Sequence, residues 1–250
     1  IGGGNAASTN TSQIYSIIGT GSGALTKTGP GTWYLYGANT YTGLTTVTNG
    51  TLILSKTGGG TLLATNNVAV SGGTLKVSSN QTISNLDMSG SGSLIVDPGV
   101  TLTITGTYTG GGSGTINNQG TIVLNGTSLQ TFPGSSMTIN NGTANTMTNL
   151  TINNSNGVNI NKSFIISGTL NATPISKLTL LDSGISLTAG NFIIQSNATG
   201  SATFIDNGGI LTLTTATAQQ QLAAARNWYM SSPVSGATGL PTVNSGSVVF

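Results

Sequence analysis

The only carboxylates that could serve as acid, base or nucleophile are four aspartates, Asp87, Asp97, Asp182 and Asp206; Glu, His and Cys do not occur. Two carboxylates about 5–10 Å apart can cleave a glycoside, one protonating the leaving oxygen and the other acting as base or nucleophile. Asp182 and Asp206 stand about one repeat apart and would stack in a coiled architecture. Asp87 and Asp97 would lie on neighbouring faces of one coil. A lyase or hydrolase is therefore the enzyme class to weigh. Against it, no three acids cluster to hold Ca²⁺. Asp87, Asp97 and Asp206 sit among Gly, Ser and Asn, as turn residues do. Abundant Ser has no His for a triad, and no thiolate is available as nucleophile or metal ligand. The sequence predicts no catalytic residue, no metal and no cofactor.

The other chemistry within reach is aromatic stacking. Tyr34 and Tyr36 are alternate residues of a strand-like run and share a face. Pointing outward, they would stack on sugar rings or support a neighbouring molecule; Trp33 and Tyr41 belong to the same weighing. Trp228 and Tyr229 form a second aromatic pair, either a carbohydrate platform or a cap over an open structural end. The candidate ligand-binding residues are thus Tyr34, Tyr36, Trp228 and Tyr229. The six basic residues, Lys27, Lys56, Lys76, Lys162, Lys177 and Arg226, are scattered, so no basic stripe for nucleic acid is expected. Gly58-Gly59-Gly60 and Gly110-Gly111-Gly112 lack the Lys-Ser/Thr ending of a phosphate loop and read as turns. No apolar run approaches the roughly 18 residues of a membrane helix.

These groups must be held by β-structure. Charged residues make up 4% of the chain, against about 25% in ordinary proteins, while Thr, Val and Ile recur throughout and suit a pleated surface. A phrase of Gly, a small polar residue and alternating apolar residues repeats: Gly31-Thr32-Trp33-Tyr34-Leu35, Gly50-Thr51-Leu52-Ile53-Leu54, Gly73-Thr74-Leu75-Lys76-Val77, Gly92-Ser93-Leu94-Ile95-Val96 and Gly120-Thr121-Ile122-Val123-Leu124. Looser copies follow at Leu150–Ile152, Gly168–Leu170, Leu178–Leu180 and Ile210–Leu213. Shorter phrases, Asn67–Val70 and Thr101–Ile104, lie between. A spacing of about twenty residues with several short strands per period describes one coil of a solenoid. A coil alone cannot bury its inward side chains, so coils stack. The expected fold is all-β: a right-handed parallel β-helix over residues 1–215, favoured over a β-sandwich because two-residue hairpin signals are few. Asn140-Asn141 and Asn153-Asn154 suit stacked amide ladders. Thr101, Thr103 and Thr105 share a strand face, yet no regular Thr-x-Thr is evident at one place in each coil, so an ice-matching array is not expected. From Thr215 the texture changes. Ala216–Arg226 is compatible with two helical turns, and residues 216–250 are expected to form a short helical or irregular cap or to begin another module.

Residues 23–54 read GALTKTGPGTWYLYGANTYTGLTTVTNGTLIL. This resembles the autotransporter-associated β-strand repeat, also called the passenger-associated transport repeat. The resemblance rests on Gly23, Leu25, Lys27, Gly29, Gly31, Leu35, Gly37, Asn39, Tyr41, Gly43, Thr45, Val47, Gly50 and Leu52. It departs from the pattern at Trp33-Tyr34 and at Leu44. It implies a secreted β-helical passenger and no catalytic residue. Residues 226–237, RNWYMSSPVSGA, resemble a segment of Bacteroidetes surface proteins, many exported by type IX secretion. The expected function is a non-catalytic structural or adhesive segment of a large secreted bacterial surface protein, a rigid stalk or fibre-forming adhesin. The alternatives are a carbohydrate-binding module and the lyase or hydrolase above. Expected partners are extracellular or cell-surface glycans or proteins, or further copies of the chain, with no nucleic acid. No signal peptide precedes Ile1, which suggests a mature or excised piece of a longer product.

Overall fold

A computed structural model describes residues 11–19, 21–221, 242–244 and 247–249. The chain winds as a parallel β-solenoid of about 9 turns, and the described residues contain no helix. Strands are short because each phrase offers only two inward positions before a Gly, Ser or Asn turn.

Three faces run along the stack. The first joins Thr11–Ile14, Thr32–Leu35, Thr51–Leu54, Thr74–Val77, Ser93–Val96, Thr115–Asn118 and Thr138–Asn140 in that order. The second runs from Gln81–Ile83 through Thr101–Ile104, Thr121–Leu124 and Asn149–Ile152 to the long strands Phe164–Ala172, Ser186–Ile194 and Ile210–Gln221. The third joins Leu25–Lys27, Thr45–Val47, Val68–Val70, Leu86–Asp87 and Tyr108–Thr109. It is carried on by Gln130–Phe132, Val158–Ile160, Lys177–Leu180 and Thr203–Ile205. The Tyr108 ring packs on Phe132 across that joint at 5.1 Å. Four of the five full copies of the repeated phrase lie on the first face, whereas Thr121–Leu124 lies on the second.

Register explains the core. Leu52, Leu75, Leu94, Ile116 and Ile139 are successive partners, and all are buried. On the second face Leu102, Ile122, Leu150, Leu170 and Phe192 do the same. Coils about 4.8 Å apart bring like side chains into van der Waals contact, so each column is a continuous apolar wall. Buried amides close the corners. Gln81 accepts from Leu62 N at 3.0 Å and donates to Leu62 O at 3.0 Å, continuing the ladder with a side chain. Asn154 donates to Ser128 O and Gln130 Oε1 at 2.8 and 3.0 Å and accepts from Asn156 N and Gly157 N. Of the expected amide ladders, Asn153 donates to Asn125 Oδ1 at 2.9 Å, and Asn117 pairs in register with Asn140.

The helix-compatible stretch is corrected over residues 216–221. These residues are strand, because Thr215 to Ala218 continue the parallel pairing with Asn191 to Ile194. The exposed ladder of the preceding coil supplies hydrogen bonds that outweigh a weak local propensity. Gln219–Gln221 then pair antiparallel with Ser247–Val249, and that strand with Thr242–Asn244. The strand Ile210–Gln221 crosses residue 215, where the change of texture begins.

Candidate functional surface

The most distinctive exposed feature is a stack of three tyrosines at the first coils. Outward positions alternate along Thr32–Leu35 and beyond, so Tyr34 and Tyr36 emerge side by side, their rings 5.8 Å apart and 8° from parallel. Tyr36 N donates to Ile14 O at 2.9 Å, which sets Tyr15 of the preceding coil against Tyr36. Those rings are 4.7 Å apart and 9° from parallel. Tyr15 is 68% exposed, and its hydroxyl donates to Gln13 Oε1 at 2.6 Å. Desolvation pushes the Tyr36 phenol above its ordinary value, and the Tyr15 and Tyr34 hydroxyls push it the same way. Tyr15 was missed from sequence. Its signal was the offset of Tyr36, which matches the coil spacing that pairs Gln13 with Tyr34.

The other aromatics divide. Trp33 pairs in register with Leu52 and packs against the core, its indole Nε1 buried without a hydrogen-bond partner. Tyr41 is buried, its hydroxyl 2.7 Å from Thr45 Oγ1. Neither offers a ring to a sugar. Trp228 and Tyr229, with residues 226–237 as a whole, lie outside the described residues.

Register also exposes rows that reading along the chain does not reveal. Thr11, Thr32, Thr51, Thr74, Ser93, Thr115 and Thr138 are successive partners on the first face. On the second face Thr82, Thr103, Val123, Thr151, Asn171, Ile193 and Thr217 align. Hydroxyl-bearing ladders therefore exist, though the second mixes Thr with Val, Asn and Ile.

The four carboxylates are engaged separately. Asp97 meets Lys76 Nζ at 3.2 Å and accepts from Ser78 Oγ at 2.7 Å. Asp87, Asp182 and Asp206 each accept from a backbone N–H two residues on, at 2.8, 2.8 and 3.2 Å. Each acts as a turn residue of its own corner. No group of three or more potential metal ligands occurs among the described residues.

Lys27 is the unexpected interior group. It is fully buried, and its ammonium donates to the carbonyls of Gly29 and, at 3.1 Å, Asn49. Burial lowers its pKa below the ordinary lysine value. Lys27 thus fastens two successive corners, Gly29 in its own coil and Asn49 in the next.

Comparison with known proteins agrees with this architecture. Residues 25–54 match the passenger-associated transport repeat. Over 114 residues, 45% of the chain, the sequence is 34% identical to the adhesin BmaC autotransporter of Brucella suis biovar 1 (strain 1330). The chain spans about 3% of that relative's length. No solved structure matches the chain.

Proposed function

We propose that this chain is a rigid, non-catalytic segment of a secreted, adhesin-like bacterial surface protein, in which stacked coils hold binding regions away from the cell. The observation that supports it best is the in-register stack of inward columns under an exterior almost free of charge. Such a stack has no hinge along its ladders, since bending would break parallel hydrogen bonds in every face at once. Sparse charge also avoids the repulsion that like charges stacked at about 4.8 Å would bring. The passenger-repeat match and the adhesin relative support extracellular presentation. The test is display of the chain on a cell surface with and without the rest of its protein. A spacer leaves adhesion to the distal parts and confers none alone; adhesion by these 250 residues alone would overturn the reading.

The tyrosine stack supports a second reading, carbohydrate binding. Aromatic faces take up sugar rings by apolar contact and C–H donation to the π-system, and Tyr15 presents the most exposed ring of the three. A glycan array probed with the unaltered chain and with Tyr15→Ala and Tyr36→Ala decides it. Binding abolished by both substitutions supports it, and a blank array removes it.

A further inference from the structure

Asn49 lies at the exposed corner between Thr45–Val47 and Thr51–Leu54 and is followed by Gly50 at φ +63°. Asn-Gly pairs are the sequence at which an asparagine side chain can be attacked by the next backbone nitrogen, because glycine sets no side chain in the way. The described residues contain Asn-Gly at 49–50, 125–126, 141–142, 156–157 and 207–208. In the last four, the glycine N–H donates to a residue other than its asparagine: Gln130 Oε1, Asn140 Oδ1, Asn154 O and Asp206 Oδ1 respectively. Their asparagine side chains are held across coils. Asn125 accepts from Asn153 Nδ2, and Asn141 donates to Ser167 Oγ. Asn156 donates to Thr127 O, and Asn207 to Leu180 O.

Asn49 differs. Its side chain folds back so that Gly50 N–H donates to its own Oδ1 at 2.7 Å, which sets the Gly50 nitrogen beside the Asn49 amide carbon. Reacting atoms held together in this way gain rate without a diffusional step. An independent observation concerns Lys27, whose ammonium donates to the Asn49 carbonyl oxygen at 3.1 Å. That oxygen belongs to the same peptide unit as the Gly50 nitrogen. A cation bound there withdraws electron density and eases loss of the N–H proton. The ammonium also stands so near Gly50 that a Cβ added there would come within 2.6 Å of Nζ.

We propose that the Lys27–Asn49–Gly50 corner is a self-modification site at which Asn49 is deamidated through a succinimide. Hydroxide takes the Gly50 N–H proton, and the nitrogen attacks Asn49 Cγ, forming a new C–N bond. The Cγ–Nδ2 bond breaks, and the side-chain nitrogen leaves as ammonia after taking a proton from water. A second water opens the ring at either carbonyl, giving aspartate or isoaspartate. The net change is uptake of one water and loss of one ammonia, with no electron transfer and no co-reactant beyond solvent. The product places a carboxylate at the corner that Lys27 fastens, turning a neutral turn into half of an ion pair. Lys27 acts here as a positioning and polarising residue.

The test uses the whole chain, incubated folded at mildly alkaline pH, denatured in acid, digested with trypsin and analysed by mass spectrometry. Fragmentation of peptide 28–56, or of peptide 1–56 where Lys27→Met removes the cleavage site, localises the change to Asn49. Asn49 is expected to convert about tenfold faster than Asn125, Asn141, Asn156 and Asn207, a difference within reach of one charge-assisted hydrogen bond. Lys27→Met should slow conversion at Asn49 alone, and Lys27→Arg should restore it. Equal or slower conversion at Asn49 in the unaltered chain overturns the proposal. So does an unchanged rate in Lys27→Met shown to be folded by circular dichroism. If Lys27→Met does not fold, the comparison of the five sites in the unaltered chain decides alone.

Discussion

The early coils and the late coils solve the same packing problem differently. Between Leu25 and Leu124 each coil is broken into separate strands of two to four residues, with sharp corners and inward rows that are almost completely buried. From Phe164 onward the first and second faces merge. Phe164–Ala172 and Ser186–Ile194 run nine residues each and Ile210–Gln221 twelve, and the former corner survives as a register shift between Ile166 and Thr169. The interior stays filled under the two nine-residue strands, where Phe164, Ile166, Leu170, Leu187, Ala189 and Phe192 are buried. Only at the last long strand do Leu211 and Leu213 become half-buried and, with Phe192 and Phe204, line an open pocket of about 460 Å³. A corner that turns sharply draws side chains from several directions into one column. A flattened corner keeps its inward residues buried as long as a coil stacks on either side, whereas among the described residues Ile210 to Ala218 pair only with the preceding strand. Stability should therefore fall off at the last described coil, Ile210–Gln221, and not where the corner flattens.

The largest expected effect tests that gradient. Leu102→Ala removes a fully buried side chain and should cost about 3 kcal/mol. Leu213→Ala, on a half-buried residue of the last long strand, should cost about 1 kcal/mol. Chemical denaturation of both variants reads the difference, and equal losses would erase the comparison. Next come the sharp corners themselves. A Cβ on Gly112 would lie 1.8 Å from Gly90 O, whereas one on Gly111 would meet nothing within 4 Å. Gly112→Ala should cost about 2 kcal/mol and Gly111→Ala almost nothing, measured by the same melts.

A smaller effect appears at high pH. Burial pushes the Tyr41 phenol up to about 12, partly offset by its bond to Thr45, and burial pushes Tyr108 upward as well. In the unfolded chain these phenols ionise near 10. The fold favours their neutral forms, so their contribution to stability is whole below about pH 10 and is lost as pH rises toward 12. Tyrosinate absorbance followed upward in pH should show a late-titrating fraction that appears together with unfolding. Tyr41→Phe should shift the alkaline unfolding midpoint upward, and an unchanged midpoint would count against burial of that hydroxyl as the cause. The smallest effect belongs to the partly exposed pair Lys76–Asp97. Lys76→Ala should change stability by under about 1 kcal/mol, less at high salt.

The architecture was legible in the sequence because its signal is periodic. Alternation in Thr74–Val77 and Ser93–Val96, repeated at coil spacing, leaves few folds able to bury both inward positions. Which face a phrase occupies was not legible. Thr121–Leu124 reads like Ser93–Val96 yet lies on another face, since the phrase records two inward residues and a turn, not the corner that precedes it. Ala216–Gln221 misled for the opposite reason: its propensity is local, while the strand it forms is imposed by Asn191–Ile194. Of the candidate surface, the juxtaposition of Tyr34 and Tyr36 follows from alternation alone. Tyr15 needed the register between coils, and so did the threonine row from Thr11 to Thr138. The interior place of Lys27 had no signal in composition, because a buried lysine is an exception that depends on carbonyls contributed by Gly29 and by the next coil.

The central claim is that the chain is a stack of exchangeable coils, each closing one turn of the same inward columns. Deleting residues 93–114 removes one coil in register, since Ser93 and Thr115 are direct partners and Thr74 precedes them in the same column. Deleting residues 93–103 removes about half of it and leaves the inward columns out of phase. In the full-length protein, the account predicts that the whole-coil deletion remains folded and cooperative in its melt, while the half-coil deletion does not fold. Failure of the whole-coil deletion, or equal tolerance of both, would contradict it.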